Sequence, residues 1–162
     1  ILEKTFVCSR SHPYHTNKRT ELAKVPKIFF IDNGFRNAII KNFQDINNRV
    51  DKRALYENFV ATELSKAGYD LKYWRTKSDA EVDFVVEKEG EIIPIEVKSG
   101  SVGSLKSLHQ FMSERNFKTA VRINSEKPAV TKINVKTSTG NMAKYSLISI
   151  PFYLTEEIDR FI

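Results

Sequence analysis

Two short apolar segments, residues 82–87 and 92–97, flank Lys88-Glu89-Gly90-Glu91, and this arrangement constrains the fold more than any other feature of the chain. Runs of this length, rich in β-branched residues and bounded by turn residues, read as strands. A two-residue turn at Glu89-Gly90 joins them into an antiparallel hairpin and fixes its register. In that register Asp83 falls directly opposite Glu96. Side chains alternate faces along a strand. Val82, Phe84 and Val86 are therefore expected with Ile93, Ile95 and Val97 on one apolar face, and Asp83, Glu96 and Lys98 on the other. Like charges directly opposed on neighbouring strands destabilise the pair, so a fold that keeps two carboxylates there needs a compensating cation. Lys98 supplies part of that charge. A hard divalent ion, Mg²⁺ or Mn²⁺, is expected to supply the rest, because such ions prefer carboxylate oxygens and water.

The segments around the hairpin alternate in type. Residues 51–67 read as a helix, with Asp51 as N-cap, Leu55, Phe59, Val60 and Leu64 at helical spacing, and Gly68 as the stop. A strand at 71–75 precedes the hairpin. A helix at 104–115, with Leu105, Leu108, Phe111 and Met112 on one side, follows it, and then a strand at 119–123. The order is α-β-β-β-α-β, which predicts an α/β domain with a mixed sheet flanked by helices. Upstream, residues 27–31 form a short strand that Asp32-Asn33-Gly34 ends in turn chemistry before a helical pattern through Ile40. Residues 11–19 read as a loop punctuated by Pro13, and the run Phe6-Val7-Cys8 as the tail of something preceding it. Weaker strand signals occur at 133–135 and 147–150, with a short acidic helix near 155–161.

The chain has 162 residues, enough for one main domain, and 26 Lys and Arg against 20 Asp and Glu, a net charge of +6. That balance favours a polyanionic partner, and DNA binding that weakens steeply with salt. A single cysteine, Cys8, excludes an internal disulfide and points to a reducing cytoplasmic compartment. The apolar runs fall far short of the roughly 20 residues of a membrane span. No GxxxxGK[ST] occurs, so the chain carries no ATPase motif, and no G-x-G-x-x-G follows the first strand. Tyr73 and Trp74 read as packing residues, His12 and His15 as polar surface.

Glu96-Val97-Lys98, thirteen residues after Asp83, resembles the motif of the PD-(D/E)XK nuclease superfamily: an acid on one strand, then Glu or Asp, any residue, and Lys on the next. The resemblance implies that Asp83 and Glu96 hold Mg²⁺, and that Lys98 helps to position the nucleophile. It also implies a further acid on the helix, which matches Glu57 as both a catalytic residue and a metal ligand. Glu63, closer to the middle of the apolar stripe, competes for that role. A longer set of blocks looks like the uncharacterised C-terminal domain attached to many archaeal and bacterial AAA-type ATPases. The blocks are Ala54-Leu55-Tyr56-Glu57-Asn58-Phe59-Val60, Tyr73-Trp74-Arg75, Glu81-Val82-Asp83-Phe84-Val85 and Ile93-Pro94-Ile95-Glu96-Val97-Lys98-Ser99. Pro26-Lys27-Ile28-Phe29-Phe30-Ile31-Asp32-Asn33-Gly34 fits the opening strand, so the match spans residues 24–152. This implies a restriction-endonuclease-like domain over 24–162, with residues 1–23 a winged-helix-like remnant or loop. It further implies an ATPase module upstream in the same polypeptide. The expected activity is Mg²⁺-dependent phosphodiester hydrolysis of DNA. The alternative is a non-catalytic DNA- or protein-docking module that retains the fold.

Overall fold

The hairpin that dominates the sequence forms in the expected register. A computed structural model, describing residues 2–15, 25–100 and 103–162, pairs β4 (Glu81–Lys88) with β5 (Glu91–Val97) from Phe84 opposite Ile95 to Lys88 opposite Glu91. Glu89 and Gly90 both have positive φ, 52° and 82°, as a two-residue turn that continues the strands' own twist requires. A methyl group added at Gly90 would meet nothing within 4 Å. Gly90→Ala should therefore cost only the strain of a left-handed alanine, about 1 kcal/mol, which urea unfolding would measure.

Around the hairpin the remaining elements build one sheet. Strands β1 (Cys8–Pro13), β2 (Lys27–Phe30), β3 (Lys72–Arg75), β6 (Thr119–Asn124), β7 (Ala129–Lys136) and β8 (Met142–Pro151) join β4 and β5. The order is β2-β1-β3-β4-β5-β6-β8-β7. Pairs β1–β3, β5–β6 and β6–β8 are parallel and the others antiparallel, so the sheet is mixed. Helices α1 (Asn33–Ile40), α2 (Lys52–Lys66) and α3 (Lys106–Arg115) and 3-10 turns at Ile46–Asn48 and Phe152–Arg160 complete the described chain. No helix among the described residues is long and apolar enough to cross a membrane.

Both faces of the sheet are covered. On one, Val60, Ala61 and Leu64 of α2 pack with Phe84, Val86, Ile93, Ile95, Val97, Val121 and Ile123. On the other, Leu108, Phe111 and Met112 of α3 pack with Trp74, Val82, Val85, Ala120 and Leu147. Val82, expected beside Phe84, thus lies under the opposite helix, and the face expected to be polar has an apolar core of its own. The cause is an irregularity between the Lys72–Val85 and Trp74–Val82 pairs, where Tyr73 of β3 faces two residues of β4, Asp83 and Phe84. One extra residue in one strand reverses the alternation beyond it.

Two further expectations change. Cys8–Pro13 is strand, not tail and loop: β1 pairs antiparallel with β2 and parallel with β3, so residues 8–13 belong to the sheet rather than to a separate segment. Proline is tolerated at its end, where one fewer ladder donor is needed. Residues 1 and 16–23 of the segment expected to stand apart lie outside the described residues. Asp51 occupies the N-cap position of α2 but makes no side-chain capping bond. Its carboxylate instead binds Arg49 and Arg36, at 2.8 Å each. The other end of α2 stops as expected: Gly68, at φ 88°, donates to Ser65 O and Tyr69 N to Leu64 O, the paired bonds of a left-handed helix end.

The edge strand β2 is clipped to α2 by a side chain. Asn58, almost fully buried, accepts from Phe30 N at 2.7 Å and donates to Phe30 O at 2.9 Å, as a neighbouring strand would.

Candidate functional site

The irregularity in β4 sits at the candidate site and shapes it. It turns Asp83 toward α2, where Arg53 Nη2 lies 3.1 Å from Oδ1. The other oxygen, Oδ2, accepts from Val97 N at 2.8 Å. The backbone ladder of β4 and β5 ends at Phe84 and Ile95, and the Asp83 carboxylate continues it by one bond. Asp83 is 1% exposed.

Glu57, one turn beyond Arg53 on α2, faces the same point. Carboxylate oxygens of Glu57, Glu81 and Asp83 lie within 4.8 Å of one another. Burial, and then the Asp83 charge, push the Glu57 carboxyl above its ordinary range, with Lys27 opposing. Lys27 of β2 bridges Glu57 at 2.7 Å and Glu81 at 2.5 Å, and Arg75 also pairs with Glu81. Burial raises Glu81 too, but there Lys27 and Arg75 win and the carboxyl sits below its usual value.

Glu96 reaches this junction from the other face of β5. It alternates with Ile95 and Val97, which pack under α2, and its charge is felt by Tyr145 in the second core. Lys98 Nζ binds its Oε1 at 2.6 Å. Its Oε2 is buried and has no hydrogen-bond partner among the described residues. Burial first, then the Asp83 charge, push the carboxyl up to about 7 against the pull of Lys98.

The structure therefore gathers Asp83, Glu96, Lys98 and Glu57 at one end of the hairpin. They do not share one sheet face, as simple alternation predicts; Asp83 and Glu57 approach from the α2 side, Glu96 and Lys98 from the α3 side. Glu63 is elsewhere, bound to Lys66 at 2.8 Å. Sequence reasoning missed Glu81, Arg53 and Lys27. Arg53 stands four residues before Glu57, a spacing that puts both on one helix face, and could have been found. Glu81 is hidden by the irregularity, and Lys27 comes from a strand thirty residues away from its partner.

The donors that suit a hard cation are the oxygens least committed to protein partners. Glu96 Oε2 has none. Asp83 Oδ1 has only Arg53, whose side chain is 64% exposed and can swing into solvent. Among the described residues, the carboxylates whose oxygens lie close enough together to share one ion are Glu57, Glu81 and Asp83; Glu96, for all its uncommitted oxygen, stands outside that group.

Comparison with known proteins gives a family. A model described as a domain of unknown function, DUF4143, matches residues 52–153, which include Glu57, Asp83, Glu96 and Lys98. A second domain of unknown function, DUF8612, matches residues 1–46. Uncharacterized proteins of Mycobacterium bovis and Mycobacterium tuberculosis are each 30% identical over 108 residues, 64% of this chain and 24% of the relative. The chain spans about a quarter of the length of these curated relatives. Over the part that holds the carboxylate cluster, the chain belongs to the DUF4143 family of domains of unknown function.

Proposed function

We propose that this is a metal-dependent phosphodiester-hydrolysing domain of PD-(D/E)XK type that acts on DNA. The observation that carries the reading is the buried, unpartnered Oε2 of Glu96 beside a second buried acid, Asp83, on the neighbouring strand. An orphaned carboxylate oxygen in a dry site costs more than 1 kcal/mol, and a bound cation removes that cost. When bound, Mg²⁺ would polarise the phosphate and lower the pKa of a water. The chain's residues supply the rest. Val97 N fixes the direction of Asp83. Lys98 holds Glu96 and is the nearest ammonium for orienting water and offsetting charge that develops on the phosphate. Lys27 keeps Glu57 and Glu81 together despite their repulsion. The resemblance to the C-terminal domain of AAA-type ATPases adds an ATPase module in the same polypeptide, for which the length of the relatives leaves room.

A specific observation favours a second reading, a docking module without catalysis. Lys27, Arg53, Arg75 and Lys98 between them pair with Glu57, Glu81, Asp83 and Glu96, so the cluster is charge-balanced with no ion. Calorimetric titration with Mn²⁺ and Mg²⁺, beside cleavage of supercoiled and branched DNA with metal and with chelator, separates the two. Metal binding should strengthen from pH 6 to pH 8 as Glu96 gives up its proton, and cleavage should need the metal. DNA binding should fall as salt rises. A protein that neither takes up metal nor cuts DNA leaves the docking reading in its place.

A further inference from the structure

Strand β6 lays a second polar pair beside Glu96-Val97-Lys98. The strands are parallel, with Glu96 next to Arg122 and Val97 next to Ile123. One step further, Lys98 stands beside Asn124, and Lys98 N donates to Ile123 O at 2.8 Å. Val121 and Ile123 pack under α2 and Ala120 under α3. Alternation therefore puts Arg122 and Asn124 on the α3 side, the side of Glu96 and Lys98. β8 extends the row, with Ser149 next to Arg122.

Neither β6 residue spends all of its hydrogen-bonding capacity on the described protein groups. Arg122 Nε and Nη2 both donate to Ser149 Oγ, at 3.2 and 2.9 Å, and Ser149 is buried. Among the described residues no carboxylate lies within ion-pair distance of Arg122, although buried acids stand beside it. An always-charged guanidinium is thus aimed by a neutral hydroxyl, and its Nη1 hydrogens have no protein acceptor among the described residues. Asn124 is fully buried. Its Oδ1 accepts from Glu126 N at 3.1 Å, which fixes the orientation of the amide and leaves Nδ2 without a partner among the described residues. A buried amide donor left unpaired is costly, and the half-buried Arg122 beside it has hydrogens to spare, so the two suit acceptor oxygens from outside the chain. It lies at the carboxyl ends of β5, β6 and β8, three mutually parallel strands, the end of a parallel sheet at which ligands bind.

We infer that Arg122, aimed by Ser149, and Asn124 form a phosphate-oxygen subsite that takes a backbone phosphate of the DNA strand beside the Asp83 and Glu96 pair. A phosphate presents several acceptor oxygens in a small volume, which suits a guanidinium and an amide on one strand with the Lys98 ammonium on the strand beside it. The substrate class rests on the proposed function, but the subsite acts in binding and needs no catalysis.

The test is fluorescence anisotropy of a labelled DNA duplex with a single-stranded tail, in chelator, over a salt series. The proteins are wild type, Arg122→Gln, Arg122→Lys, Ser149→Ala and Lys136→Gln, with thermal unfolding of each. Arg122→Gln should weaken binding about 10-fold and lower the slope of log affinity against log salt by about one. Arg122→Lys should restore the slope but not the full affinity, since an ammonium has no fork. Ser149→Ala should weaken binding with the slope unchanged. Lys136→Gln, an equal loss of charge on the exposed face of β7, should change affinity by less than about 2-fold. The subsite is overturned if Arg122→Gln, or Arg122→Lys should the first variant not fold, binds no worse than Lys136→Gln. It is overturned equally if wild type does not bind at low salt. Cleavage with Mg²⁺ on the same preparations keeps the two readings apart. Uncut DNA with Arg122-dependent binding removes the nuclease and keeps the subsite; cut DNA with Arg122-independent binding does the reverse.

Discussion

Glu96→Gln should reduce metal-dependent DNA cleavage by about 10³-fold or more and should make the metal-free protein more stable at pH 8 by roughly 2 kcal/mol. The two effects have one cause, the negative charge of a carboxylate that is nearly sealed from water. The loss of activity follows because an amide cannot replace the ionised oxygens that attract a cation. The gain in stability follows from linkage. An ordinary Glu ionises near 4.5, whereas Glu96 in the folded protein ionises near 7. Below pH 4.5 both states hold the proton and the group contributes no pH dependence. Between 4.5 and 7 the unfolded chain releases its proton while the folded chain keeps it, so wild type loses stability as pH rises. Above 7 the full cost is present and levels off. The variant lacks that slope, so its advantage should open across this window and vanish near pH 4. Urea unfolding in chelator at pH 4.5, 6 and 8 measures it. A variant that is less stable than wild type at pH 8 would show that the ionised carboxylate is already fully compensated by Lys98 and Arg53. Cleavage by the variant at the wild-type rate would return Asp83, Glu96 and Lys98 to a structural charge cluster.

Asn58→Ala should destabilise the domain by about 3 kcal/mol. The amide closes two bonds with the backbone of Phe30, and truncation leaves both Phe30 groups without them at the edge of the sheet. Thr62 Oγ1, 3.3 Å from Phe30 O, recovers only part of one. The loss should appear in denaturant midpoints, with amide exchange of β2 rising before that of β5. A change below about 1 kcal/mol would mean that water replaces the clip at little cost. Lys27 belongs to β2, so loosening that strand should also relax the bridge between Glu57 and Glu81.

What could be read from the sequence was what local chemistry decides. Glu89-Gly90 sets a turn that depends on two residues alone, and the pairing of Phe84 with Ile95 follows from it. Gly68 ends α2 because only its own backbone conformation is at issue. The helices and strands between residues 51 and 124 carry regular apolar spacing and appear where that spacing puts them. Features decided by distant parts of the chain were not legible. Cys-Ser-Arg-Ser-His-Pro has no apolar alternation, and is a strand only because β2 and β3 offer it partners on both sides. The extra residue at Asp83-Phe84 leaves no mark in composition, yet it decides which helix Asp83 faces. Lys27 has no local signal, and its role appears only once β2 is laid against α2.

The bond from Val97 N to Asp83 Oδ2 gives the cluster an internal spectroscopic probe. An amide proton held by a carboxylate resonates well downfield, and its position follows the electron density on that oxygen. A cation arriving at Asp83 would draw that density away, so on metal addition the Val97 cross-peak in a nitrogen-15 spectrum should move while amides at the far end of β5, such as Ile92, stay still. Occupancy at the heart of the site can thus be followed from one backbone resonance, without substrate, turnover or any substituted residue.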